Sequence, residues 1–226
     1  MKRKIVALFV VIGVIFASVF SAMSASVVVS KHNLAGPYDP SEQVCVYCHT
    51  PHFANSGNLS GVPLWNRSSG NTSFTMYSSA TIDAAIANAP SPNSLACLGC
   101  HDGVNANNNK HDLLNGPGSG SIPDTTSWPN CRRCHPQMYG SPAVNWIGTD
   151  LKKSHPVSIV YPTAAQDPGF HIPPDLQKGW TASPSVPLYR GKVECPSCHN
   201  VHDPEKVPFL RMANSGSDLC FKCHNK

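Results

Sequence analysis

All ten cysteines of this 226-residue chain fall into five copies of one pentapeptide. The copies are Cys45-Val46-Tyr47-Cys48-His49, Cys97-Leu98-Gly99-Cys100-His101, Cys131-Arg132-Arg133-Cys134-His135, Cys195-Pro196-Ser197-Cys198-His199 and Cys220-Phe221-Lys222-Cys223-His224. Cys-x-x-Cys-His sets two thiols at the separation of the two haem vinyl groups and places an imidazole next to them. It is the attachment site of c-type haem. Structural zinc needs CxxC units in pairs, and five is odd. Disulfides give no reason for a His at every fifth position. The expectation is five covalent c-type haems. Their irons are held on the proximal side by His49, His101, His135, His199 and His224.

The N-terminus reads as an export leader over residues 1–24. Lys2, Arg3 and Lys4 are its charged head, Ile5 to Phe20 its apolar stretch, and Ala22-Met23-Ser24 a small-x-small cleavage site. The apolar stretch is shorter than the roughly 20 residues that span a bilayer, so cleavage is expected rather than anchoring, and no later run is apolar enough to cross a membrane. The destination expected is outside the cytoplasm, in the periplasm or at the cell exterior. Removing the leader's three cations leaves 14 basic against 13 acidic residues. Each ferric haem adds about −1 through its two propionates, so the loaded chain is mildly acidic. With no basic patch, nucleic-acid binding is excluded.

Residues 25–226 are expected to form a single domain organised around stacked haems. Charged residues make up 13% of the chain, and it carries 21 prolines and 16 glycines. Typical globular chains are about 25% charged and have half this share of proline. Such a composition builds loops, with the porphyrins supplying the missing apolar core. Asn105–Asn109, Gly116–Gly120, Pro162–Pro174 and Ser183–Pro187 all read as loop. The fold class expected is mostly irregular, with short α-helices and little or no β-sheet. Helices are expected at the motifs, with Ser94 capping one through His101 and Ser217 one through His224. Thr81–Asn88 is the best helix away from a motif, stopped by Pro90.

Each iron needs a second axial ligand. Five of the eleven histidines sit in the motifs, which leaves His32, His52, His111, His155, His202 and His171. Two imidazoles per iron leave no open position for a substrate. Two motifs extend to C-x-x-C-H-x-x-H, at Cys45–His52 and Cys195–His202, a weak internal repeat. In each, the second His is three residues beyond the proximal one and lies on the same side, so it serves a neighbouring haem rather than its own. His155 is followed by a proline that stiffens its approach. His32 is close enough to the first motif to reach a haem in the N-terminal half. His111 is preferred for the fifth iron, and His171 is the spare. Met76, Met138 and Met212 are the alternative ligands. Trp65, Trp128, Trp146 and Trp180 are read as packing aromatics.

These segments resemble the multihaem c-type cytochromes with doubled CxxCH motifs that abound in dissimilatory metal-reducing bacteria. The resemblance rests on His32–Leu34, Val44–Phe53, Pro63–Arg67, Leu95–Gly103, Ser154–Val157, Glu194–Asp203 and Leu219–Lys226. Against the four-haem pattern of those segments, Cys131–His135 looks like an addition. Some extracellular cytochrome filaments are similar at both ends, and there a His placed like His52 ligates a haem of the next subunit.

The resemblance thus implies a homopolymer through His52, with redox proteins or extracellular acceptors as partners. The function expected is electron transfer without catalysis. The alternatives are a multihaem reductase with one five-coordinate haem, or a relay subunit docked on a membrane complex.

Overall fold

The computed structural model describes residues 26–33, 44–52, 54, 59–66, 73–102 and 147–225. The leader, the Cys131–His135 motif, His111, Met138, Trp128 and Trp146 lie outside the described residues. Among those described, the chain is mostly irregular, with three α-helices and two two-stranded sheets. No helix among them is long and apolar enough to cross a membrane.

Helix α1 runs Pro92–His101 and ends in the second motif. Pro92 presets the first helical turn, and Ser91 holds the N-cap position without a side-chain bond. Ser94 is therefore inside the helix and fully buried, not its cap. Its hydroxyl is taken by Glu194, which is why it caps nothing. Helix α2 is the single turn Cys195–Cys198, and α3 is Asp218–Phe221. Ser217 is at the N-cap position of α3 but makes no side-chain cap bond, and α3 stops before His224. The first motif begins in a 3₁₀ turn, Val44–Tyr47.

Strand β1, Ile159–Val160, pairs antiparallel with β4, Lys192–Val193, in the register Ile159↔Val193. Strand β2, Gly179–Trp180, pairs antiparallel with β3, Val186–Pro187. Thr81–Asn88 is not helical. Ile86 bridges Ile159, the Ala87 amide donates to the Ser158 carbonyl, and the Val160 amide donates to the Ala85 carbonyl. Pairing with β1 takes the backbone groups a helix would use, and tertiary context overrides propensity. Strand β4 runs straight into Glu194 and α2, so the small sheet carries the fourth motif on its end.

The apolar core is thin. Its cluster is Leu59, Leu95 and Ala96, with Val62, Trp65 and Phe74 against it. Several of the most deeply buried side chains are polar: Ser94, Asp102, Ser158, Glu194 and Ser197. Gly179 holds the hairpin at φ +76, where an added Cβ would lie 2.6 Å from the Leu188 amide nitrogen and the Val186 carbonyl oxygen. Gly216 has φ +61 and open space around it. Gly179→Ala is expected to cost more than about 2 kcal/mol, through backbone strain plus a backbone clash. Gly216→Ala should cost about 1 kcal/mol, from φ alone. Denaturant unfolding followed by circular dichroism checks the order.

Candidate haem-attachment sites

Three motifs are held by the same strap, one that sequence reading did not predict. Each strap is a proline followed by three residues: Pro63–Asn66, Pro168–His171 and Pro208–Arg211. The residue after each motif's His donates its amide to the strap's second residue. These bonds are Thr50 to Leu64 at 2.8 Å, Asn225 to Gly169 at 3.0 Å and Asn200 to Phe209 at 2.7 Å. The strap's fourth residue donates back to the second cysteine's carbonyl: Asn66 to Cys48, His171 to Cys223 and Arg211 to Cys198. Each proximal His is thereby bridged antiparallel to the strap's third residue, Trp65, Phe170 or Leu210. Leu64 and Phe209 both take positive φ, 50° and 61°, to make the turn.

In the first and fourth motifs the fourth strap residue also grips with its side chain. The Asn66 amide donates to the Val46 carbonyl, and Arg211 Nε donates to the Pro196 carbonyl at 2.6 Å. These are equivalent positions of the two extended C-x-x-C-H-x-x-H units. The signal available in the sequence was the recurring proline ahead of an aromatic or Leu: P-L-W-N, P-G-F-H and P-F-L-R.

The straps and a neighbouring proline also aim imidazoles. His49 Nδ1 is 2.8 Å from the Pro63 carbonyl, His199 Nδ1 is 2.8 Å from that of Pro208, and His155 Nδ1 is 3.0 Å from that of Pro156. A carbonyl only accepts, so each ring carries its proton on Nδ1 and keeps the Nε2 lone pair for a metal. Fixing the tautomer from behind is how ligating histidines are oriented.

Three motif histidines face non-motif histidines. His101 and His32 have ring centroids 6.1 Å apart, His49 and His202 6.1 Å, and His224 and His155 6.4 Å. An iron between two imidazoles, with metal–nitrogen distances of about 2.0–2.1 Å, sets the centroids about 6.3 Å apart. The residues therefore fit the group. His224 and His155 also line one cavity of about 330 Å³, with Tyr77, Ile82, Tyr161 and Phe170 on its walls. Among the described residues, His32 Nδ1 is buried without a hydrogen-bond partner. Burial first, then the charges of His101 and His202, hold the His32 imidazole down to about 4, so the ring is neutral near pH 7. Burial, then His49 and Arg211, likewise lower His202. Neutral imidazole is the form that ligates iron.

The remaining sites are placed differently. His199 is aimed by Pro208, but among the described residues no second imidazole stands across from it. His52 and His171 are exposed. Trp65 packs edge-on against His49 at 5.8 Å. Trp180 packs against Tyr161 at 5.8 Å and lies under the Lys222 ammonium. Cys97 and Cys195 start their motifs side by side. Their mutual hydrogen bond, then burial, pushes the Cys97 thiol well up, and the same hydrogen bond, against burial, holds Cys195 below its usual range. No group of three or more His, Cys, Asp or Glu among the described residues is placed to hold a bare metal ion.

The family description "doubled CXXCH motif" matches residues 187–226, which contain the fourth and fifth motifs and the Pro208 strap. That match is consistent with a c-type cytochrome, and the CxxCH units indicate covalently bound c-type haem. No curated protein matches the chain. Removing the strap's grip is expected to loosen the fourth motif. Arg211→Ala should cost about 1.5–3 kcal/mol, because the lost donor is charged, and Asn66→Ala about 0.5–1.5 kcal/mol. Unfolding midpoints of the two variants check the ranking.

Proposed function

We propose that this chain carries electrons through five c-type haems, each iron held between two histidines, at a site outside the cytoplasm. The observation that carries the reading is the set of three imidazole pairs, each joining a CxxCH histidine to one far away in sequence at the spacing of an iron between them. Bound haem supplies one-electron exchange at iron. The chain's own residues do the rest. The ten cysteines tether, and His49, His101, His135, His199 and His224 ligate from the proximal side. Among the described residues, His202, His32 and His155 ligate opposite His49, His101 and His224. Proline carbonyls keep the imidazoles in the ligating tautomer. Two imidazoles per iron leave no position for a substrate, which favours a carrier over a reductase. The leader supports export to the periplasm or the exterior, where other redox proteins or extracellular acceptors are the partners.

His52 extends the reading to assembly. It is the counterpart of His202 in the repeated unit, it is exposed, and its amide leans on Thr50 Oγ1. His199 is aimed at an iron with no described imidazole opposite. A His52 from a second copy meets that need, and such a head-to-tail contact propagates as a filament rather than closing as a dimer.

Mass spectrometry of the exported protein is expected to show a chain starting near residue 25 with five haems that resist acid extraction. Fewer haems in matured protein would contradict the count. His32→Ala, His155→Ala and His202→Ala should each convert about one haem in five to high spin. His52→Ala should shorten or abolish filaments seen by negative-stain microscopy. Wild-type protein that is strictly monomeric with every haem low spin would leave a soluble shuttle.

A further inference from the structure

Glu194 is 1% exposed and lies where α1 and α2, two of the motif-bearing helices, meet. It directly precedes Cys195, and Ser94 of α1, three residues before Cys97, reaches it. Its Oε2 accepts from the Ser94 hydroxyl and from the Ser158 hydroxyl at 2.9 Å. Both serines are committed to that role. The Ser94 hydroxyl accepts the Cys195 amide at 3.0 Å, and the Ser158 hydroxyl accepts the Ser91 amide at 2.8 Å. With one lone pair accepting an amide, each hydroxyl directs its single proton at the carboxylate.

The Ser197 amide of the α2 capping box also faces the Glu194 side chain, and among the described residues Oε1 is buried without a hydrogen-bond partner. No Lys or Arg among the described residues pairs with Glu194, since the ion pairs found there are Asp175–Lys178 and Glu205–Lys206. The Cys195 sulfur and the Tyr189 phenol lie within electrostatic reach of it, and the Arg211 guanidinium lies within reach of the phenol. In loaded protein the Cys97 and Cys195 sulfurs are thioethers and carry no charge.

An ionised carboxylate is costly to bury unless its surroundings are arranged for it. Here two oriented hydroxyls are so arranged, and among the described residues no cation pairs with the carboxylate. Its field therefore extends into a low-dielectric region and falls on whatever is attached at Cys97 and Cys195.

We propose that Glu194 is a tuning residue: a buried, uncompensated negative charge that favours the ferric state of the haems attached at Cys97–Cys100 and Cys195–Cys198 and so sets their potentials below those of the other haems. This rests on the haem reading above. Glu194 touches no iron ligand and acts through charge alone.

The test is spectroelectrochemical titration of exported holoprotein, with haems assigned by NMR. Glu194→Gln keeps the shape and should raise the midpoints of these two haems by about tenfold in the reduced-to-oxidised ratio at fixed potential, which is about 59 mV for one electron. Glu194→Asp, which keeps the charge, should restore them. Glu205→Gln, the same charge change at an exposed position, should leave both unmoved. Should Glu194→Gln not accumulate, Ser158→Ala removes one hydroxyl dipole that offsets the charge, leaves the carboxylate in place, and should move the same two haems downward by less. Unchanged midpoints in both variants, or a uniform shift of all five haems, would overturn the proposal. The haem content of the same samples, read as pyridine haemochrome, separates the cases: unloaded protein means the haem reading has failed, and loaded protein with unmoved midpoints means only this inference has.

Discussion

Aiming an imidazole is the constraint on which the rest of this structure depends. A histidine ring with two similar nitrogens can present either one, and it ligates only as the neutral tautomer with its free lone pair forward. The chain solves this with proline carbonyls. Pro63, Pro156 and Pro208 take the Nδ1 protons of His49, His155 and His199. Proline suits the role because its fixed φ limits the backbone that carries the accepting carbonyl. The high proline content thus has a chemical role beyond loop-making.

The strap also explains how so loop-rich a chain keeps its shape. With few buried apolar side chains among the described residues, hydrogen bonds do the joining: Thr50 to Leu64, Asn200 to Phe209 and Asn225 to Gly169 tie three motifs to their straps. The fully buried serines and Glu194 at the foot of α1 and α2 make the same kind of joint between the second and fourth motifs. A hydrogen-bonded joint fixes direction as well as proximity, whereas apolar packing fixes mainly proximity. Direction is what ring-to-ring distances near 6 Å require.

Particular residues show where sequence reading stopped. Short helices at the motifs and the scarcity of sheet were legible in the composition and in the motif flanks. Thr81–Asn88 read as a helix stopped by Pro90. The segment is irregular, because Ile86 bridges Ile159 and its neighbours bond the backbone of Ser158 and Val160. Ser94 read as a cap, yet a carboxylate one hundred residues away claims its hydroxyl. The straps were present as P-L-W-N, P-G-F-H and P-F-L-R, but four residues of which only the proline is constant do not stand out until their hydrogen bonds are seen.

By itself the sequence determined the chemistry of attachment, because a thioether pair and its adjacent imidazole are local and are written within five residues. It also determined the supply of further imidazoles and the loop-rich fold class. Which imidazole faces which was decided only by the tertiary structure. His32 meets His101, His202 meets His49 and His155 meets His224 across separations that no local pattern encodes. Those partners are chosen by the hydrogen bonds of the straps, the small sheet and the Glu194 joint, and such bonds exist only once the chain has closed on itself.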